Sequence, residues 1–169
     1  MKNSYVERAQ KFIRGFFPFM ENWTDKYDVE QAVYDYMIEH PRRNVQFANG
    51  IARVAIITAD YVIKFDYDPN NVEEVGGCEN EVSFYAMAKD EGKAYLFAEI
   101  TPYEYCGQRF YIMPRVEGIG RTWHSAEYYM TWEEQLWCDR HGLSDLHCNN
   151  YGWVDGRICI IDYACCYED

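Results

Sequence analysis

The sequence predicts an α+β protein with a five-stranded antiparallel sheet lobe, followed by a smaller helical lobe that carries a β-hairpin. Three observations predict it. Apolar residues recur at helical spacing before residue 43 and at strand spacing from Asn44 onward. Short strand runs then follow one another across the tight turn signals Asn49-Gly50 and Asp60. Near the end, two strand-like runs flank Asp155-Gly156, a favoured pair for a two-residue type I′ turn.

Each element has its own signal. Ser4 to Phe17 reads as a helix, with Val6, Ala9, Phe12, Ile13, Phe16 and Phe17 spaced along it and Ser4 and Glu7 forming a capping box before Pro18. Asp28 to Glu39 reads as a second helix capped by Asp28, with Val29, Ala32, Val33, Tyr36 and Met37 on one face and Pro41 closing it. Val45–Phe47, Ala52–Ile57 and Tyr61–Phe65 form an antiparallel meander. Cys78 to Lys89 is a helix whose buried face is expected to be Val82, Tyr85, Ala86 and Met87. Ala94–Ile100 and Gln108–Met113 read as two more strands, with Pro102 and Gly107 flanking the loop between them and Pro114 ending the second. After the Gly118 and Gly120 joint, Tyr128 to Arg140 reads as a helix with Tyr129, Trp132, Leu136 and Trp137 as core, stopped by Gly142. The expected division is an N-terminal helical extension over 1–43, a sheet-and-helix lobe over 44–117 and a smaller lobe over 118–169. A small ligand is expected in the cleft between the lobes.

Composition narrows the function. At 169 residues the chain is one domain or one small bilobal unit, and 49% hydrophobic and 18% aromatic residues supply a sizeable core. The net charge of −12, from 16 basic and 28 acidic residues, argues against a nucleic-acid binder, which carries a basic footprint. The acids are spread along the chain, as on a solvated surface; the other reading is an acidic decoy for a basic partner. No secretory signal and no run near the ~20 apolar residues of a membrane span is visible, so a cytoplasmic protein without membrane contact is expected, in the host cytoplasm if it is viral. Seven cysteines without repeating spacing fit reduced thiols, and the lack of paired C-x-x-C knuckles speaks against structural zinc.

The chemistry-bearing stretch is Ser144-Asp145-Leu146-His147-Cys148-Asn149-Asn150-Tyr151-Gly152, followed by Ile160-Ile161-Asp162-Tyr163-Ala164. If Val154 pairs with Arg157, then Trp153 faces Ile158, Tyr151 faces Ile160 and Asn150 faces Ile161. Asn150 and Asp162 then leave the open end of the hairpin side by side, as two hard oxygen ligands suited to magnesium held jointly with phosphate oxygens. Asp145 lies within reach as a base or hydroxyl-orienting group. The plainer alternative is a surface hairpin whose Asp and Asn residues cap turns. Lys64 sits in mid-strand on the face opposite Ile63 and Phe65; alone it reads as a lysine on the wet side of a sheet. Glu81, one turn into the next helix, can meet it, with Glu79 competing for the role and an ordinary exposed first-turn acid as the alternative.

The order strand-lysine, helix-glutamate, two strands, connector, helix, D-L-H-x-x-N and I-I-D resembles the protein kinase-like superfamily over about residues 44 to 166. The D-L-H-x-x-N form is similar to aminoglycoside phosphotransferases and small bacteriophage kinases. The resemblance implies a minimal bilobal protein kinase-like fold with a truncated helical lobe and a catalytic-loop hairpin, using ATP and Mg. It implies that Lys64 holds the α/β-phosphates with Glu81 orienting it, and that Asp145 is the catalytic base. It further implies that His147 approaches the transferred phosphate, that Asn150 and Asp162 bind magnesium, and that the backbone of Met113, Arg115 and Val116 meets the adenine. The phosphate loop is reduced to Asn49-Gly50, where Gly50 would approach a phosphate; Leu143 stands where the family has histidine, and Tyr163-Ala164 where it has glycine. No activation segment or A-P-E follows in the seven residues after Asp162. The acceptor is then expected to be recognised by the N-terminal helices or by a partner. Two functions follow: a phosphotransferase acting on a hydroxyl of a protein or small molecule, or a non-catalytic kinase-like module or inhibitor that engages a host protein.

Overall fold

The computed structural model describes residues 4–20, 26–41, 44–50, 53–67 and 77–164. The chain divides into two compact units, residues 1–74 with 100–115 and residues 75–99 with 116–169.

The first unit is built on a five-stranded antiparallel sheet, the class of structure expected. Its strands are β1 (Gln46–Asn49), β2 (Arg53–Ile57), β3 (Tyr61–Asp66), β4 (Thr101–Tyr105) and β5 (Gln108–Pro114), in the order β1-β2-β3-β5-β4. Two helices precede it, α1 (Tyr5–Phe16) and α2 (Lys26–Glu39). The capping box forms at the start of α1: Ser4 Oγ accepts from the Glu7 N–H and Glu7 Oε2 accepts from the Ser4 N–H, both at 3.2 Å. Asp28 does not cap α2; the helix begins at Lys26, and Asp28 lies in its first turn, where the helix dipole favours an acid.

Alternation sets the faces of the sheet. Tyr61, Ile63 and Phe65 of β3, with Val54, Ile56, Phe110 and Ile112 of its neighbours, are buried against Ala9, Phe12, Ile13 and Phe16 of α1 and Val29, Ala32, Val33 and Tyr36 of α2. The N-terminal helices therefore close one face of the sheet, and Lys64 projects from the other.

Two sequence expectations fail at residues 94–105. Ala94–Leu96 is a turn of 3-10 helix, with the Leu96 and Phe97 N–H groups donating to the carbonyls of Lys93 and Ala94. The strand starts only at Thr101 and contains Pro102, opposite Tyr111. Proline is tolerated there because β4 is an edge strand and needs a ladder on one side only. The tight turn falls instead at Cys106-Gly107, both at positive φ (51° and 79°).

The second unit contains α3 (Cys78–Asp90), α4 (Trp132–Arg140) and the hairpin of β6 (Tyr151–Val154) and β7 (Arg157–Ile160). The buried face of α3 is Cys78, Glu81, Phe84 and Ala88; of the expected face, Ala86 is exposed and Val82, Tyr85 and Met87 are only half-buried. Aromatic packing selects that face, because Phe84 meets Phe97 and Trp137 edge-on at 5.2 and 5.6 Å. The helix expected from Tyr128 is broken in two. Ala126–Tyr129 is a separate 3-10 turn, and Thr131 with Glu134 makes a capping box that starts α4 at Trp132, which is therefore exposed rather than core. In β6, Gly152 allows close approach, since a Cβ there would overlap the Glu117 carbonyl and the Val116 side chain.

Two predictions follow from the two cores. Phe12 is buried among Phe16, Tyr36 and Tyr61, so Phe12→Ala is expected to cost about 3–5 kcal/mol by urea unfolding, whereas Tyr34→Ala on the exposed side of α2 changes stability by less than about 0.5 kcal/mol. Burial pushes the Cys138 thiol up from 9.0 to about 12 and the Cys159 thiol to about 11. Both protons are held more tightly in the folded state, so this contribution to stability is complete below pH 9 and is lost as pH rises through 11 to 12. The urea midpoint should fall over that window, and less steeply in a Cys138→Ala, Cys159→Ala double variant.

Candidate functional site

The hairpin register matches the count from the sequence: Val154 pairs with Arg157, Trp153 with Ile158 and Tyr151 with Ile160. The turn residues Asp155 and Gly156 both take positive φ, 50° and 77°. The ladder continues one step beyond the strands, where the Ile161 N–H donates to the Asn150 carbonyl at 2.8 Å. Asn150 thus stands opposite Ile161, and Asp162 is the next residue along.

Asn150 closes the loop that precedes the hairpin. Its N–H donates to the His147 carbonyl at 2.9 Å, and its side-chain amide nitrogen donates to the Asp145 carbonyl, also at 2.9 Å. That second bond fixes which way the amide points, with Oδ1 as the remaining polar atom. Neighbouring chain holds the loop from outside, through Gly120 N–H to the Cys148 carbonyl (2.9 Å) and Ala126 N–H to the Leu146 carbonyl (2.7 Å).

Asp145 and His147 form a pair at the loop surface. His147 Nε2 lies 3.4 Å from Asp145 Oδ1, and both side chains are about half exposed. The Asn149 N–H donates to His147 Nδ1 at 3.2 Å. Nδ1 is therefore an acceptor, which places the ring proton on Nε2, facing the carboxylate. The imidazole occupies one side of the Asp145 carboxylate, an arrangement that fixes its orientation.

Glu81, rather than the exposed Glu79, is the buried acid of α3, with 0% exposure. Its Oε1 accepts from the Tyr163 N–H at 3.3 Å, the residue after Asp162. Tyr163 is itself buried, and its hydroxyl donates to the Ala98 carbonyl at 2.7 Å. Burial, followed by the nearby Glu81 carboxylate, pushes this phenol far above the ordinary tyrosine range. From the sequence, Tyr163 is only a replacement for glycine and Ala98 a strand residue. A large aromatic directly after Asp162 was the available signal for a built-in anchor.

The remaining site candidates lie mostly in the first unit. Lys64 stands between Ala55 of β2 and Tyr111 of β5 and is half-buried. Met113 is buried opposite Val62. The Arg115 N–H is committed to the Asp60 carbonyl at 3.0 Å, and the Gly50 N–H to the Arg53 carbonyl at 2.8 Å. Ile51 and Ala52, which follow Gly50, lie outside the described residues. Val116 is buried and begins the stretch of the second unit that runs to the Asp145 loop. Among the described residues no helix is long and apolar enough to cross a membrane, and no cluster of three His, Cys, Asp or Glu side chains could hold a metal ion.

No family model and no curated protein matches the chain. Among solved structures, a match is the ternary complex of APH(2'')-IIa with streptomycin and ATP, at 14% identity and a TM-score of 0.30. The match covers 68% of this chain and 36% of that one, so the chain spans about a third of the length of the matched protein.

The loop geometry predicts one tautomer. Nitrogen-resolved NMR of neutral His147 should find Nδ1 bare and Nε2 protonated, and an Asp145→Ala variant should release the ring. A neutral ring protonated on Nδ1 would contradict the Asn149 contact.

Proposed function

We propose that the protein is an ATP- and magnesium-dependent phosphotransferase of the kinase-like type, acting on a hydroxyl of a small molecule or protein. The observation that carries the reading is the state of Asn150. The residue is only 7% exposed, its N–H, C=O and amide nitrogen are all committed, and among the described residues Oδ1 accepts no hydrogen bond. An amide oxygen left so costs about 1–3 kcal/mol. A hard cation would supply what a missing donor would, and Asp162, the residue after Asn150's ladder partner, would supply a second oxygen ligand. Two protein ligands suit magnesium, which keeps several waters and is completed by phosphate oxygens. When bound, magnesium would supply neutralisation of phosphate charge.

The other roles follow from that placement. Asp145, with one side of its carboxylate engaged by His147, would orient the acceptor hydroxyl and take its proton. Lys64 would meet the α/β-phosphates from the sheet face not covered by α1 and α2. The connector Met113, Arg115 and Val116 would border the adenine. Gly50 would contribute only its lack of a side chain, because its N–H is spent within the hairpin. Catalysis in this reading is positioning and charge neutralisation.

A second reading, a non-catalytic module that binds a protein, draws on a different observation. Trp123 is 100% exposed, and Tyr128 and Trp132, within nine residues of it, are 68% and 74% exposed. Exposed aromatics that form one contiguous patch commonly mark an interface.

Thermal melts with ATP separate the two. At about a hundredfold excess over Kd, magnesium-ATP should stabilise the protein by about 2.7 kcal/mol, and Asp162→Asn should remove the magnesium-dependent part. Absence of any magnesium-dependent shift at millimolar ATP would sink the phosphotransferase reading. Given transfer to an acceptor, Asp145→Asn should lower kcat by about 10²–10⁴-fold with nucleotide binding retained.

A further inference from the structure

We infer that Tyr163 is a positioning residue for Asp162, the closing member of a bracket that sets the place of this aspartate before any ligand arrives. What Asp162 holds rests on the phosphotransferase reading; the bracket itself does not.

Asp162 lies outside regular structure, since β7 ends at Ile160 and residues 161–164 are irregular. An irregular stretch ordinarily moves more than the strands it leaves. Here each residue around Asp162 is tied. The Ile160 carbonyl accepts from the Ala98 N–H at 2.8 Å, and the Ile161 N–H donates to the Asn150 carbonyl at 2.8 Å. Beyond Asp162, the Tyr163 N–H donates to Glu81 Oε1 and the Tyr163 hydroxyl donates to the Ala98 carbonyl.

Ala98 is used twice. Its N–H holds the chain before Asp162, and its C=O holds the side chain after it. The ring of Tyr163 sits 5.2 Å from Phe97 and 5.9 Å from Phe84, and Trp137 packs against both. A phenylalanine would satisfy that aromatic cluster. The hydroxyl is a liability in a buried site unless it has a partner, and its partner is the segment that also anchors Ile160. The main chain of Asp162 is thereby fixed at both ends while its side chain stays partly exposed. A carboxylate fixed in advance loses less freedom when it takes up a ligand.

Tyr163→Phe tests this, because it keeps the ring and removes one bond. Amide hydrogen exchange of the free protein should speed up by about tenfold or more at Ile161 and Tyr163, with α3 and β6 unchanged. In magnesium titrations of the ATP complex the midpoint should rise several-fold, while metal-free ATP affinity stays at the wild-type value. A merely structural role would instead accelerate exchange across the whole second unit and weaken metal-free and metal-dependent binding alike. Unchanged exchange at both amides overturns the bracket, and faster exchange with an unchanged magnesium midpoint overturns the positioning role. If the wild type binds nucleotide without regard to magnesium, the phosphotransferase reading falls, and the bracket is decided by the amides alone.

Discussion

The hydrogen bond from the Ile161 N–H to the Asn150 carbonyl is the constraint on which the candidate site depends. It lies just beyond the last strand pair of a two-stranded hairpin, where pairing commonly frays. Its persistence keeps the two antiparallel segments side by side for one further step, enough to carry the Asp145 loop and the Asp162 segment out together. Everything polar in the loop is arranged around that step. Asn150 turns its amide nitrogen back to Asp145, the loop carbonyls are taken up by Gly120 and Ala126, and Glu81 receives the main chain just past Asp162. A two-stranded hairpin is marginal alone; here the surrounding segments supply what a third strand would.

The two faces of the large sheet have different tasks. One is filled by aromatic and branched residues under α1 and α2, with Phe12, Phe16 and Tyr36 in mutual edge and stacked contact. The other carries Lys64, flanked in the ladder by Ala55 and Tyr111. The N-terminal helices thus cover one side of a small sheet, and Lys64 stands on the other. Period-2 alternation enforces this, because a slip of one residue would send Lys64 under the helices and Ile63 to the other face.

Much of this was legible in the sequence, and the failures have physical causes. The hairpin could be counted because Asp155-Gly156 dictates both turn type and register. The start of α1 could be read from Ser4 and Glu7, whose bonds are local. Residues 94–100 misled because an apolar run reads as a strand, while the actual partner of Phe97 and Ala98 is Ile160, far along the chain and invisible to a local pattern. The face of α3 misled because apolar residues lie on both sides of it, and only the aromatics it meets decide between them. The break before Trp132 was obscured by aromatics that keep a helical period across Thr131. In the hairpin, Asn150 stands opposite Ile161 as counted, one residue before Asp162. The clasp formed by Ala98, Tyr163 and Glu81 was not foreseen, since it joins three stretches with no shared motif.

Pro102 has a consequence for the molecule in company. β4 ends the sheet, and a sheet edge is a template on which another chain can add a strand. A strand docking there meets a position with no N–H to offer, next to the exposed charge of Glu104. The same residue that looked like a loop marker in the sequence thus disfavours edge-to-edge pairing at β4.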